Sequence, residues 1–320
     1  MIRTQMTAVL AARPRAGFVE TPCVSSLTHR ALSYLAAGYP VHFRGPSGSG
    51  KTTLAMHVAH RVGRPIMFVC GDDEFGTSDL VGAQTGYHRR KVIDNFVHSV
   101  LKTEEDMAQH WVDNRLTVAC REGLALVYDE FTRSRPEANN VLLSVLEEKV
   151  LVLPASRNGN SYLKVHPDFV AIFTSNPEDY AGVHKTQDAL RDRMVTIDLD
   201  YFDRETEVAI TQARSDVPRK DAERIVDLVR AYRETGLCAF GPTIRSCIMI
   251  AKVLALRETP TLAGDPIFEQ TCFDVLAAEL DRANQSSKKR PCRRDVVREL
   301  IRRYCSEETG SGVINLARPA

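Results

Sequence analysis

The sequence has no CxxC pair, although eight of its 320 residues are cysteine. The thiols stand at 23, 70, 120, 238, 247, 272, 292 and 305, a scatter that offers neither zinc-site spacing nor a disulfide framework. Reduced thiols in a cytoplasmic protein are the expectation. An excess of one charge sign is missing too. The 42 Lys and Arg face 41 Asp and Glu for a net +1, and 43% of residues are hydrophobic, which argues against a strongly basic scaffold and against a disordered chain. No apolar run approaches the about eighteen residues of a membrane helix; Phe169–Phe173 is typical of the longest. Met6–Ala12 loosely imitates a secretory signal, but it runs into Arg13-Pro14-Arg15 without a small-x-small cleavage site. Residues 1–19 are therefore expected to form a flexible arm.

What the chain does have is roughly two domains' worth of residues with a change of pattern near 204. Before that point short apolar strands alternate with helical periods. Val41–Phe43, Ile66–Cys70, Leu124–Tyr128, Phe169–Phe173 and Val195–Leu199 are candidate strands, mostly apolar runs between helices, as expected of a parallel sheet covered on both faces. Leu54, Ala55, Val58, Ala59 and Val62 share one helical face that Gly63 stops. The pattern predicts an α/β core of three αβα layers over 20–203, an all-α domain over 204–305 and a tail over 306–320. Two insertions interrupt the core. Residues 82–123 read as polar and partly helical around Lys102–Asp106 and the single Trp111. Val150–Val165 reads as a hairpin turning at Arg157–Asn160, because Asn158-Gly159 lies between apolar runs. Residues 281–305 hold nine Lys or Arg against three acids, net +6, on an amphipathic period whose basic face is expected to be solvated.

The sharpest chemical signal is Gly45-Pro46-Ser47-Gly48-Ser49-Gly50-Lys51-Thr52, with Thr53 next, between a predicted strand and a predicted helix. Glycines let backbone N–H groups wrap a polyphosphate at a helix N-terminus. Lys51 would reach the β- and γ-phosphates and the Thr52 hydroxyl would ligate Mg²⁺. Leu124–Tyr128 ends in Asp129-Glu130, placing a Mg²⁺-holding carboxylate beside one able to polarise a water. ATP with Mg²⁺ is thus the expected ligand set, and hydrolysis the expected outcome. Phe169–Phe173 ends in Thr174-Ser175-Asn176, whose amide could position that water. Arg191 and Arg193 precede the last core strand, and Arg245 follows Gly241-Pro242-Thr243-Ile244 at a helix start; one of the first two could cross to a neighbouring subunit's γ-phosphate, and Arg245 could fold onto the nucleotide. His57 and His60 have no further ligand in evident range, and Asp72-Asp73-Glu74 reads as a solvated turn.

These motifs, with Asp129-Glu130-Phe131-Thr132-Arg133, Pro136 and Asn140–Glu148, resemble the MoxR-like branch of the AAA+ ATPases. The resemblance implies a P-loop NTPase core with a helical lid, an ATPase that assembles as a homo-oligomer and remodels a protein client. It further implies that Asn176 is the first sensor, Arg193 the finger with Arg191 as its rival, and Arg245 the second sensor. Phe18–Pro22, Gly71–Gly76, Ser99–Asp106 and Tyr180–Asp188 narrow the likeness to the gas vesicle members of that branch. That likeness implies a cytoplasmic, vesicle-associated factor required for gas vesicle formation and acting on other gas vesicle proteins, with contacts on the 82–123 and 150–165 insertions. The alternative within the branch is a chaperone that activates a metalloenzyme or inserts its cofactor. Neither reading implies a membrane or nucleic acid as partner.

Overall fold

The computed structural model describes residues 9–10, 17–94, 102–153, 162–176, 184, 188–238, 241–277 and 292–306. The chain divides into two compact units, one of 1–15, 26–46 and 50–199, the other of 16–25, 47–49 and 200–320. Among the described residues no helix is long and apolar enough to cross a membrane.

The first unit is built on a six-stranded sheet. Its strands are β1 (Val9–Leu10), β2 (Val41–Arg44), β3 (Ile66–Cys70), β6 (Ala125–Asp129), β9 (Val170–Ser175) and β10 (Val195–Asp198), in the order β1-β3-β6-β9-β2-β10. All neighbours are parallel except β1, which runs antiparallel to β3 from within the stretch expected to be an arm. The helices are α1 (Pro22–Ala36), α2 (Lys51–Val62), α3 (Thr77–Val81), α4 (Arg115–Glu122), α5 (Pro136–Asn139), α6 (Val141–Leu146) and α7 (Asp188–Arg191). Strand residues alternate between faces. Leu126, Tyr128, Ala171 and Phe173 join Leu116 of α4 and Leu142 of α6 in one buried cluster, while their equally buried neighbours Val127 and Ile172 do not. Helix α2 packs on β2, β6 and β9. The central strands β6 and β9 are apolar on both sides because both sides are covered, as their sequence runs predicted.

The insertion over 82–123, read as polar and partly helical, holds a helix and also two strands that the reading did not include. Residues Gly82–Asp94 (β4) and Lys102–Asp113 (β5) form one antiparallel ribbon, paired from Gly82↔Asp113 to Asp94↔Lys102 with a register shift between Thr85 and Tyr87. The helical part of the stretch is α4, which follows the ribbon within 82–123. Val150–Val152 (β7) and Tyr162–Lys164 (β8) pair antiparallel, as the hairpin signal predicted, and the turn at Arg157–Asn160 lies outside the described residues.

The second unit contains α8 (Arg204–Ser215), α9 (Arg219–Glu234), α10 (Ile244–Arg257), α11 (Pro266–Leu276) and α12 (Arg293–Tyr304). Asp203, Thr243 and Asp265 cap α8, α10 and α11 through their side-chain oxygens, which satisfies otherwise orphaned N–H groups. Apolar faces of all five helices make one core that includes Val229, Tyr232, Ile250, Phe268 and Ile301. Glu207 is buried inside this unit and accepts hydrogen bonds from Arg230 (2.9 Å) and Arg233 (2.8 Å). Arg233 also donates to the Pro242 carbonyl (2.8 Å) and lies 3.9 Å from the centre of the Tyr201 ring. Of the basic stretch, only the α12 part is described, and it buries Val297 and Ile301.

Candidate functional site

The glycine-rich loop joins β2 to α2. Gly48 (φ 83°) and Gly50 (φ 86°) hold left-handed conformations that cost a side-chain-bearing residue energy, so glycine there is a conformational requirement. Gly45 is required for another reason: a Cβ would overlap the Leu199 carbonyl oxygen. The buried Lys51 ammonium donates to the carbonyls of Gly45 (2.9 Å) and Pro46 (2.7 Å), which keeps it over the loop at the positive end of α2.

Asp129 is 9% exposed, and its carboxylate is gripped by hydroxyls. Thr52 Oγ1 donates to Asp129 Oδ1 at 2.6 Å, and Thr174 Oγ1 donates to the same oxygen at 2.5 Å. Thr174 Oγ1 in turn accepts the Glu130 backbone N–H at 2.9 Å. Four residues from three chain segments, Thr52, Asp129, Glu130 and Thr174, are thereby linked through hydrogen bonds. Glu130 stands in a left-handed turn (φ 50°, ψ 41°), and its carboxylate pairs with Arg133 at 3.0 Å. Two hard oxygen donors, one hydroxyl and one carboxylate with no cationic partner of its own in this cluster, suit Mg²⁺, which takes few protein ligands and fills its octahedron with water and substrate phosphate. Among the described residues no cluster of three or more His, Cys, Asp and Glu could hold a metal, so the Asp72-Asp73-Glu74 run and the His57 and His60 pair do not form one.

Asn176 follows β9 directly, and its Oδ1 is buried without a hydrogen-bond partner among the described residues. Arg193 donates through Nε to Glu147 Oε2 at 2.6 Å and through Nη1 to the Ala189 carbonyl at 2.6 Å, so it is engaged at the end of α6. Arg191 ends α7. Arg245 lies in the second unit, on the first turn of α10, and its N–H donates to the Thr243 cap at 3.4 Å.

Two residues escaped the sequence reading. Thr174 had a local signal, a small hydroxyl beside the strand-end amide. His42 had another, a polar residue inside an apolar strand. His42 is buried, shares hydrogen bonds with Ser175 Oγ (2.8 Å) and Thr196 Oγ1 (3.1 Å), and meets the Phe131 ring edge-on. Burial pushes its pKa down to about 4, with Arg44 and Arg191 acting in the same direction and Asp198 against. It is neutral at neutral pH. The cysteines are all free, and burial pushes Cys120 and Cys305 up to about 12, so they remain thiols.

Comparison with known proteins sets this geometry in context. Residues 40–194 match the AAA domain family (dynein-related subfamily). The chain is 55% identical over 297 residues to the gas vesicle ATPase GvpN of Ancylobacter aquaticus, covering 92% of this chain and 83% of that protein. It is 47% identical over 264 residues to the gas vesicle ATPase GvpN of Haloferax mediterranei, covering 82% and 75%. Protein NorQ of Paracoccus denitrificans is more distant, at 31% identity over 192 residues, 60% of this chain and 62% of that one. Among solved structures, a mutant of Thermotoga maritima RuvB superposes with a TM-score of 0.51 at 18% identity, covering 83% of this chain and 74% of that one, a likeness of fold alone.

Proposed function

From the premise that this chain belongs to the gas vesicle ATPase GvpN family and is an AAA ATPase, we propose that it hydrolyses ATP with Mg²⁺ to drive gas vesicle formation, acting on other gas vesicle proteins. The observation that carries the chemical part is the hydroxyl-linked cluster of Thr52, Asp129, Thr174 and Glu130.

Each residue has a role that its position supports. The loop N–H groups of 47–50 and the Lys51 ammonium bind the polyphosphate. Thr52 and Asp129 hold Mg²⁺, which neutralises charge on the phosphates. Thr53 continues the first turn of α2 beside them. Glu130 polarises the attacking water, and Thr174 fixes it in place by accepting its backbone N–H. Asn176, whose amide oxygen at the strand tip has no hydrogen-bond partner among the described residues, orients that water. Arg193 is the finger offered to a neighbouring copy, with Arg191 as the alternative, and Arg245 responds to the nucleotide from the helical unit. The protein works as a homo-oligomer in the cytoplasm and at gas vesicles. Identity of about half over most of the chain with gas vesicle ATPases, against 31% over 60% with NorQ, favours this reading over a metalloenzyme chaperone.

The test is Glu130→Gln. ATP binding should persist while phosphate release falls by about 10² to 10⁴-fold, as for loss of a general base. A host lacking its own copy should then form no gas vesicles with the variant. Wild-type turnover in the variant would remove Glu130 from the mechanism, and normal vesicles from a turnover-dead protein would separate hydrolysis from assembly.

A further inference from the structure

The sheet face that carries His42 borders a second polar space. A cavity of about 200 Å³ lies between the ends of β2, β9 and β10 and is lined by His42, Arg44, Thr132, Asn176, Arg191 and Asp198 among others. That volume is several times the share of one liquid water. Two of its lining residues stand out: Thr132, only 4% exposed, and Asn176 each carry a side-chain oxygen that is buried and makes no hydrogen bond among the described residues. Leaving a buried polar atom unmet costs about 1 to 3 kcal/mol, so two residues with such atoms beside one cavity point to an occupant with polar groups of its own, met once the side chains turn toward it.

Charge narrows the occupant. Arg44 and Arg191 contribute two guanidiniums against the single carboxylate of Asp198, which Arg44 grips through Nε (2.6 Å) and Nη2 (3.0 Å). His42 adds no charge at neutral pH, and both guanidiniums help hold its pKa down, as expected where the local potential is positive. The wall is thus cationic and rich in N–H and O–H donors, which suits an oxyanion and repels a metal ion.

Connectivity narrows it further. Asn176 borders the cavity, and two residues before it Thr174 donates to Asp129. One strand end therefore touches both the hydrolytic cluster and this space. We propose that the cavity is a binding site for inorganic phosphate, taking up the product of ATP hydrolysis beside Asn176 with Thr132, Arg44 and Arg191 as its ligands. It rests on the hydrolytic reading above and adds a separate station for the leaving phosphate, away from the glycine-rich loop.

The probe is inorganic phosphate, titrated calorimetrically into the full-length chain saturated with Mg-ADP. One phosphate should bind per chain. Thr132→Val should weaken it by about tenfold, the usual scale for one hydrogen bond to a charged group, while Thr132→Ser keeps it near wild type. Arg44→Gln, at a side chain 41% exposed that the fold can spare, should weaken it as well and raise the salt sensitivity of what remains. Lys51→Ala, titrated without nucleotide, should still bind phosphate. In turnover, added phosphate should inhibit wild type without competing with ATP, and Thr132→Val should lose that inhibition. Absence of stoichiometric binding overturns the proposal. So does binding that vanishes in Lys51→Ala but ignores Thr132→Val and Arg44→Gln, since the phosphate then sits in the loop. Either result leaves the Glu130→Gln test of hydrolysis untouched.

Discussion

Asp129 at the tip of β6 and Glu207 in α8 are both buried acids, 9% and 1% exposed, and the two units treat them in opposite ways. Asp129 is met by two neutral hydroxyls, Thr52 and Thr174, so its charge is oriented but not cancelled. Glu207 is met by two guanidiniums, Arg230 and Arg233, which are themselves tied to the carbonyls of Phe202 and Pro242. A carboxylate held by hydroxyls stays available to an incoming cation. One held by guanidiniums is closed to ligands and serves the fold, since removing it would strand its partly buried partners. Burial alone therefore does not mark a functional acid; the charge of its partners does.

The largest effect that would sharpen this contrast is on turnover. Asp129→Asn keeps the shape and an acceptor for the two hydroxyls but drops the charge. Steady-state hydrolysis should fall by about 10³-fold, equivalent to about 4 kcal/mol of transition-state stabilisation, with the urea midpoint moved by less than about 1 kcal/mol. A large stability loss in that variant would make Asp129 as structural as Glu207 and break the comparison. Next comes Glu207→Ala, which should cost about 3 to 5 kcal/mol in equilibrium unfolding because it leaves Arg233 and Arg230 without their counter-charge. A cost below about 1 kcal/mol would show that solvent replaces the carboxylate.

The smallest effect concerns pH and belongs to the sheet unit. His42 has its folded pKa pushed down to about 4, below the ordinary value near 6.5, so the unfolded chain binds its proton more readily. The stabilisation from keeping it neutral is present above about pH 6.5 and lost as pH falls toward 4, at up to about 1.4 kcal/mol per pH unit and about 3 kcal/mol in all. The difference between wild type and His42→Gln in urea unfolding should carry that slope. Parallel curves for the two proteins would assign the acid sensitivity elsewhere.

Much of this could be read from the chain, and the exceptions share a cause. The parallel strands were legible because both of their faces are buried, giving runs such as Ile66–Cys70 that need no period to be seen; observed ends lie within two residues of those read from sequence. The β4–β5 ribbon was not. From Lys102 to Asp106 its sequence is charged and polar, so pairing made by main-chain hydrogen bonds left no hydrophobic alternation to detect. The loop from Gly45 to Thr52 and the pair Asp129-Glu130 announced themselves through local motifs. Thr174 and His42 did not, since their meaning depends on partners 45 and 133 residues away in sequence, brought close only by strand order. The Glu207 network was invisible for the same reason: an acid on one helix and two arginines on the next look like ordinary surface charge until the helices pack.

The left-handed turn at Glu130 has a consequence for how the chain can evolve. At φ 50° a residue with a Cβ is held in a backbone state that glycine or asparagine adopts more cheaply, by about 1 kcal/mol. Selection for thermal robustness alone would drift toward Gly at this position, whereas selection for turnover would retain the acid. A chain in this lineage that carries Gly at 130 would then be the sturdier protein and a poor ATPase, so that residue alone would distinguish descendants kept for binding from those kept for work.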